Sequence, residues 1–185
     1  MRTMARRLDG GDQALVELKA VDAAYPLVGS VETEGNQTFA SGMAGGGAVA
    51  DAMLLERLGV KPGDRVRLGE AEVEVSAILK SEPDGVADRL TYGPRVFVSL
   101  ATLEKTGLVK PGTLVRWRYA VDRGETTPGD RETLKALREG VQTALPQSGY
   151  SALDRHNPAP QVTRTLERLR QFLVLIGLAS LLIGG

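Results

Sequence analysis

The sequence predicts an α+β fold: a ferredoxin-like body, a small helix-plus-hairpin subdomain inserted in it, and a C-terminal helix that runs out of water. Three observations carry this expectation. Segments with two-residue apolar alternation, such as Arg65–Leu68 and Gly112–Val121, interleave with helical periods such as Leu134, Leu137 and Val141. The block LGVKPGDRVRLGEAEVEVSAIL joins a helix end, a tight turn and a hairpin without a break. From Phe172 to Gly185 the chain reads FLVLIGLASLLIGG, with no charge and no proline.

In chain order, residues 1–13 read as a disordered or cloning-derived terminus, because a basic start meets Asp9-Gly10-Gly11-Asp12 where a signal peptide would turn apolar. If the domain is exported, its targeting signal lies ahead of Met1, and both ends read as cuts in a longer protein. Ala14–Val21 is a first strand, broken by Tyr25-Pro26-Leu27, and Val28–Thr33 a short extended piece. Ser41–Gly47 is too glycine-rich for a regular element and serves as a flexible lead-in. A helix is expected over Ala48–Leu58, with Val49, Met53, Leu54 and Leu58 near one face and Gly59 as its C-cap. Pro62-Gly63-Asp64 turns the chain into a strand in which Val66 and Leu68 alternate with Arg65 and Arg67. After Gly69-Glu70, Val73, Val75 and Ala77 continue the alternation in a paired strand. These residues, 27–90, make up the inserted subdomain.

The body comprises 14–26 and 91–158. Arg95–Ser99 is a strand and Leu100–Thr106 a short helix, with Leu100, Leu103 and Leu108 inward. Gly112–Val121 is a long strand with Leu114, Arg116, Arg118 and Ala120 on one face and Val115, Trp117, Tyr119 and Val121 on the other, the aromatic face buried. Asp130 caps a helix to about Ala144. Gln147–Leu153 is a turn and a last short strand.

From Pro160 one helix runs into the tail. Val162, Leu166, Leu169, Leu173 and Ile176 are spaced 4, 3, 4, 3, a heptad seam, while Arg164, Glu167, Arg168 and Arg170 occupy other faces. Residues 159–171 read as a stalk helix, with Pro158 and Pro160 as its pivot. Residues 172–185 read as the start of a truncated transmembrane helix, since about 21 Å of helix falls short of the roughly 30 Å of a bilayer core. The alternative is a buried C-terminal core helix.

Composition narrows the function. The net charge is zero and 25% of residues are charged, so there is no nucleic-acid footprint and too much charge for a multi-span core. The absence of cysteine removes thiolate metal sites and a cysteine nucleophile. No G-x-x-x-x-G-K-[ST] is present, so no phosphate loop is expected. Gly45-Gly46-Gly47-Ala48-Val49-Ala50 fits a dinucleotide fingerprint in letters only, with no strand expected ahead of it. His156 is the sole histidine. It forms a triad with Asp154 only on paper, as no nucleophile elbow exists. Glu82 and Asp84 flank Pro83 in a turn, and Arg116 and Arg118 read as a solvated face. No catalytic, cofactor-binding or metal residue is expected.

Four features, in this order, resemble the extracytoplasmic domain of MacB/FtsX-type ABC transporter permeases, and within them the YbbP-like branch. These are the LxxLGVKPGDRVRLG…VEVSAIL block from Leu55 to Leu79, the Ser81-Glu82-Pro83-Asp84 loop, Gly93-Pro94-Arg95-Val96 leading into Ser99–Leu103, and an apolar segment directly after an amphipathic helix. The resemblance covers about residues 13–185. It implies a porter-type α+β body with an inserted subdomain, in a protein of the bacterial inner membrane whose outer domain faces the periplasm. It also implies a cognate cytoplasmic ABC ATPase that binds the ATP, a permease homodimer, contact with membrane lipid, a periplasmic partner protein and no nucleic acid. The role it implies is coupling ATP-driven motion to export or extraction of a lipid, lipoprotein or peptide. The residues taken alone also leave open a single-span anchored domain that binds lipid or a partner, and a membrane-surface hydrolase.

Overall fold

The computed structural model describes residues 1–83, 93–121, 131–150 and 160–184. The chain forms two compact units, Met1–Val121 and Asp122–Gly185.

The first unit is built on a closed sheet. Strands β1 (Arg2–Arg7), β2 (Gln13–Val21), β3 (Glu32–Thr33), β4 (Ala48–Asp51), β5 (Arg65–Leu68), β6 (Ala71–Ser81) and β7 (Arg95–Ser99) lie in the order β3-β6-β4-β7-β2-β1-β5, and β5 pairs back onto β6. Six strands therefore close a barrel and β3 hangs on β6 as a seventh. Closure satisfies the backbone groups that an open sheet would leave at its edges. Pairing is mixed: β2 with β7 and β4 with β6 run parallel, the rest antiparallel.

This corrects the ferredoxin-like expectation. Strands assigned to an inserted subdomain, β4, β5 and β6, share one sheet with β2 and β7 of the assigned body, so body and insertion form a single barrel. The residues read as a disordered terminus form β1, in register with β2 from Arg2↔Glu17 to Arg6↔Gln13 and with β5 from Ala5↔Leu68. β1 is legible only once its partners are known, since Ala5 is its one fully buried apolar residue.

The two-residue period divides the strands between two cores. Ala48 and Ala50 of β4 and Val96 and Val98 of β7 join Ala5, Val16, Leu18, Val66, Leu68, Val73 and Val75 in one cluster. Val49 and Phe97 point the other way, into a second cluster with Val21, Phe39, Ala77 and Leu79. Strands buried on both faces read as continuous apolar runs. For that reason the Ala48–Leu58 run, expected as one helix, is a strand followed by α2 (Ala52–Leu58). Asp51 marks the junction, and its Oδ2 accepts from the Arg95 backbone N–H at 2.7 Å. Leu54, Leu55 and Leu58 of α2 enter the first cluster. Met53, expected on the inner face, is exposed.

Gly59 ends α2 in the left-handed region as expected. Its N–H donates to Glu56 O and that of Val60 to Leu55 O at 3.0 Å, a Schellman closure. The Lys61–Asp64 turn places Pro62 second and Gly63, at φ 96°, third. Gly69-Glu70 makes the two-residue link of the β5–β6 hairpin. The glycine-rich Ser41–Gly47 stretch is more ordered than expected. α1 (Phe39–Met43) carries a reciprocal Thr38–Ser41 capping box and continues into a 3-10 turn, Ala44–Gly46. α1 brings Phe39 edge-on to Phe97, ring centroids 5.3 Å apart.

α3 (Leu100–Lys105) is capped by Ser99 Oγ, which accepts from the Thr102 N–H. It buries Leu103, and Leu108 packs partly beside it, but Leu100 at the first turn is exposed. The Gly112–Val121 stretch forms no ladder among the described residues, and Trp117 and Tyr119 are exposed together with Leu114 and Val121. Strand alternation is present there, but the barrel closes without it, so its aromatic face finds no place in either core.

In the second unit, α4 (Arg131–Ala144) half-buries Leu134 and Val141 and leaves Leu137 more open. The Tyr150 hydroxyl donates to the Arg138 carbonyl at 2.8 Å. Asp130, Ser151–Leu153, Asp154, His156 and Pro158 lie outside the described residues, as does Asp84. α5 (Pro160–Gly184) is one unbroken helix.

Candidate functional site

Two features of the described residues stand apart from ordinary packing: a charged cluster on the outside of the barrel, and α5.

The charged cluster forms because β2 and β7 run parallel, placing Glu17 beside Arg95 and Lys19 beside Phe97 on the outward face. Glu82, just beyond the end of β6, arrives from a third strand. Its side chain is only 3% exposed. It accepts from Lys19 Nζ at 3.1 Å and from Arg95 Nη1. Lys19 Nζ also donates to the Tyr25 hydroxyl at 3.0 Å and lies 4.8 Å from the Tyr25 ring centroid and 5.1 Å from that of Phe97. Glu17 Oε2 is buried 3.8 Å from Arg95 Nε without a hydrogen bond among the described residues. Buried charges of this kind persist only when paired. The cluster therefore locks the end of β6 to the start of β7 and the later half of β2, and holds Tyr25 of the following loop against the second core. In sequence Glu82 reads only as a turn residue. The signal for more is weak, because its partners lie 63 and 13 positions away.

α5 behaves differently. Of the heptad seam, Leu166, Leu169, Leu173 and Ile176 are exposed, and so are Phe172, Leu175 and Leu178 on other faces. The Val162 side chain lies outside the described residues, and Pro160 is the first residue of the helix. A helix that is apolar on every side belongs in a protein core, a bundle or a bilayer. Burying each large aliphatic side chain is worth about 1.5–3 kcal/mol, so the helix has a strong drive toward an apolar surrounding. Among the described residues no helix is long and apolar enough to cross a membrane. α5 runs through the residues read as the start of a truncated span, its first half carrying Arg164, Glu167, Arg168 and Arg170 and its second half uncharged. Leu166 and the large apolar residues from Leu169 to Leu178 are open, so α5 is not buried among the described residues.

No group of three or more His, Cys, Asp or Glu able to hold a metal occurs among the described residues. Gly45–Gly47 form the tight turn that leads into β4, and an added Cβ at Gly47 would collide with both Gly42 O and Ser76 Oγ. Close packing accounts for Gly47, and left-handed backbone, at φ 64° and 93°, for Gly45 and Gly46. Arg116 and Arg118 lie on the exposed 112–121 stretch.

By fold and surface, the chain is a mixed α+β barrel domain followed by a long helix that turns apolar on all sides. It is similar to a segment of the uncharacterized ABC transporter permease YbbP of Escherichia coli (strain K12), 31% identical over 175 residues, which are 94% of this chain and 20% of that protein. The chain thus spans 20% of the length of that curated relative. No family model matches the chain.

Proposed function

We propose that this chain is the extracytoplasmic domain of an ABC transporter permease of the MacB/FtsX type, in the YbbP-like branch. In this reading it acts by binding and mechanical coupling and has no catalytic residue. A separate cytoplasmic ATPase binds ATP. Motion of that subunit reaches the outer domain through α5 and drives export or extraction of a lipid, lipoprotein or peptide on the outer side of the bacterial inner membrane. The permease works as a homodimer, in contact with membrane lipid and a periplasmic partner protein.

The observation that carries the reading is α5 itself, unbroken from Pro160 to Gly184 while its sequence passes from charged to wholly apolar. The similarity to a permease along 94% of the chain supports it. A continuous helix transmits displacement, whereas a flexible linker absorbs it. Val162, Leu166, Leu169, Leu173 and Ile176 are the residues assigned to packing along the stalk, within the dimer or against neighbouring spans. Pro158 and Pro160 are assigned as its pivot.

Insertion of a short Gly/Ser segment after Arg168 in the intact permease tests the relay. Transport-dependent phenotype is expected to fall to background while ATP hydrolysis and membrane abundance persist. Wild-type phenotype with the insertion in place contradicts the proposal.

A further inference from the structure

The outward face of β2, β1 and β5 carries a charge arrangement that folding alone does not favour. In register across four strands stand Gln13, Arg6, Arg67 and Glu72. Arg67 Nη2 is paired with Glu72 at 2.9 Å. Arg6 is exposed and makes no hydrogen bond or ion pair among the described residues. Arg6 and Arg67 therefore sit directly opposite each other as like charges, with Cβ atoms roughly 4.5–5.5 Å apart, a placement that destabilises an antiparallel pair. Arg65 repeats the charge two positions along β5, opposite Glu74. One row further along, Met4 stands opposite Leu15, the former partly and the latter largely exposed.

We infer that this face binds the phosphate headgroup of an anionic amphiphile, Arg6, Arg67 and Gln13 taking the phosphate oxygens while Met4 and Leu15 cover the adjoining hydrocarbon. Two guanidinium side chains and an amide occupy adjacent positions in the strand register. The two free oxygens of a phosphodiester each accept from more than one donor, so the three side chains share them. The ligand's charge relieves the Arg6–Arg67 repulsion and is itself repelled by Glu72 and Glu74, so a singly charged phosphodiester fits better than a dianion. The apolar pair beside the cations selects a lipid over a free ion. The choice of a lipid source deepens the proposed role at a membrane surface, and the headgroup site stands on the strand register alone.

The test is a titration of the full chain in maltoside micelles, read by nitrogen chemical shifts of the Arg6, Gln13 and Arg67 side chains. The probes are dihexanoyl phosphatidylglycerol, dihexanoyl phosphatidylcholine and inorganic phosphate. Phosphatidylglycerol is expected to bind about tenfold tighter than either of the others, the equivalent of roughly 1.4 kcal/mol. Arg6→Gln should weaken it about as much without lowering the urea midpoint, since a repulsive pair is removed, and Arg67→Gln should also weaken it. Equal affinity for the two lipids, unchanged affinity in Arg6→Gln, or phosphate binding as tightly as the lipid overturns the inference. None of these results bears on which side of the membrane the domain faces, so the permease reading stands or falls separately.

Discussion

At Gly69 an added methyl would collide with the Thr106 carbonyl oxygen and lie 2.8 Å from Leu108 Cγ, on a backbone at φ 59°. Gly10 has a similar left-handed φ, 79°, with open space around it. The two separate strain from collision. Gly10→Ala should cost about 1 kcal/mol, the left-handed penalty alone, and Gly69→Ala about 3 kcal/mol or more, because a hairpin turn must move off a backbone atom. Urea unfolding of both variants measures the difference, and equal midpoints would refute the close approach. The acids make a second contrast. Lys110 hydrogen-bonds Glu70 at 2.9 Å and holds its carboxyl below the usual glutamate range, yet the pair is exposed. Glu82 is enclosed between Lys19 and Arg95. Glu82→Ala should therefore destabilise by about 3 kcal/mol, because it removes the buried carboxylate that two partly buried cations share. Glu70→Ala should leave the unfolding midpoint nearly where it is, because water screens an exposed pair. Parallel denaturant curves decide it.

Among the elements, α2 puts three leucines into the first core, and Leu58 of these is fully buried. Leu58→Ala should cost roughly 2–5 kcal/mol by transfer and cavity terms together, against less than about 1 kcal/mol for exposed Met53→Ala. Thermal or denaturant unfolding of the two variants side by side checks the assignment of faces. Much of this local order is legible in the sequence. Gly59 as a helix cap, the Pro62-Gly63 turn, the β5–β6 hairpin, Arg95–Ser99 and the helix from Pro160 all follow from turn chemistry and periodicity within a few residues. The errors share a cause. Ala48–Asp51 resembles a helix because both faces are buried, which erases the two-residue period. Trp117 and Tyr119 show that period clearly yet stay outside both cores. Arg2–Arg7 carries almost no apolar signal, and its strand exists because β2 and β5 offer it edges. The Glu17–Lys19–Glu82–Arg95 cluster depends on parallel pairing between strands separated by more than 70 residues, which no local pattern encodes.

At the scale of the whole molecule, the proposed arrangement sets a closed barrel outside the membrane and joins it, in sequence, to a helix that seeks an apolar surrounding. Barrel closure makes the first unit a stiff body, with six strands satisfied on both edges, suited to moving as one piece. The chain contains no cysteine, so within it an introduced thiol is the one target, and the parent permease without the added cysteine supplies the background. Glu104 is exposed on α3, and Glu104→Cys disturbs neither core. The most direct measurement is labelling of Glu104→Cys in the full-length permease with a membrane-impermeant maleimide, in cells whose inner membrane is intact. Complete labelling before lysis is the predicted result. Labelling that occurs only after the inner membrane is broken would contradict an extracytoplasmic barrel.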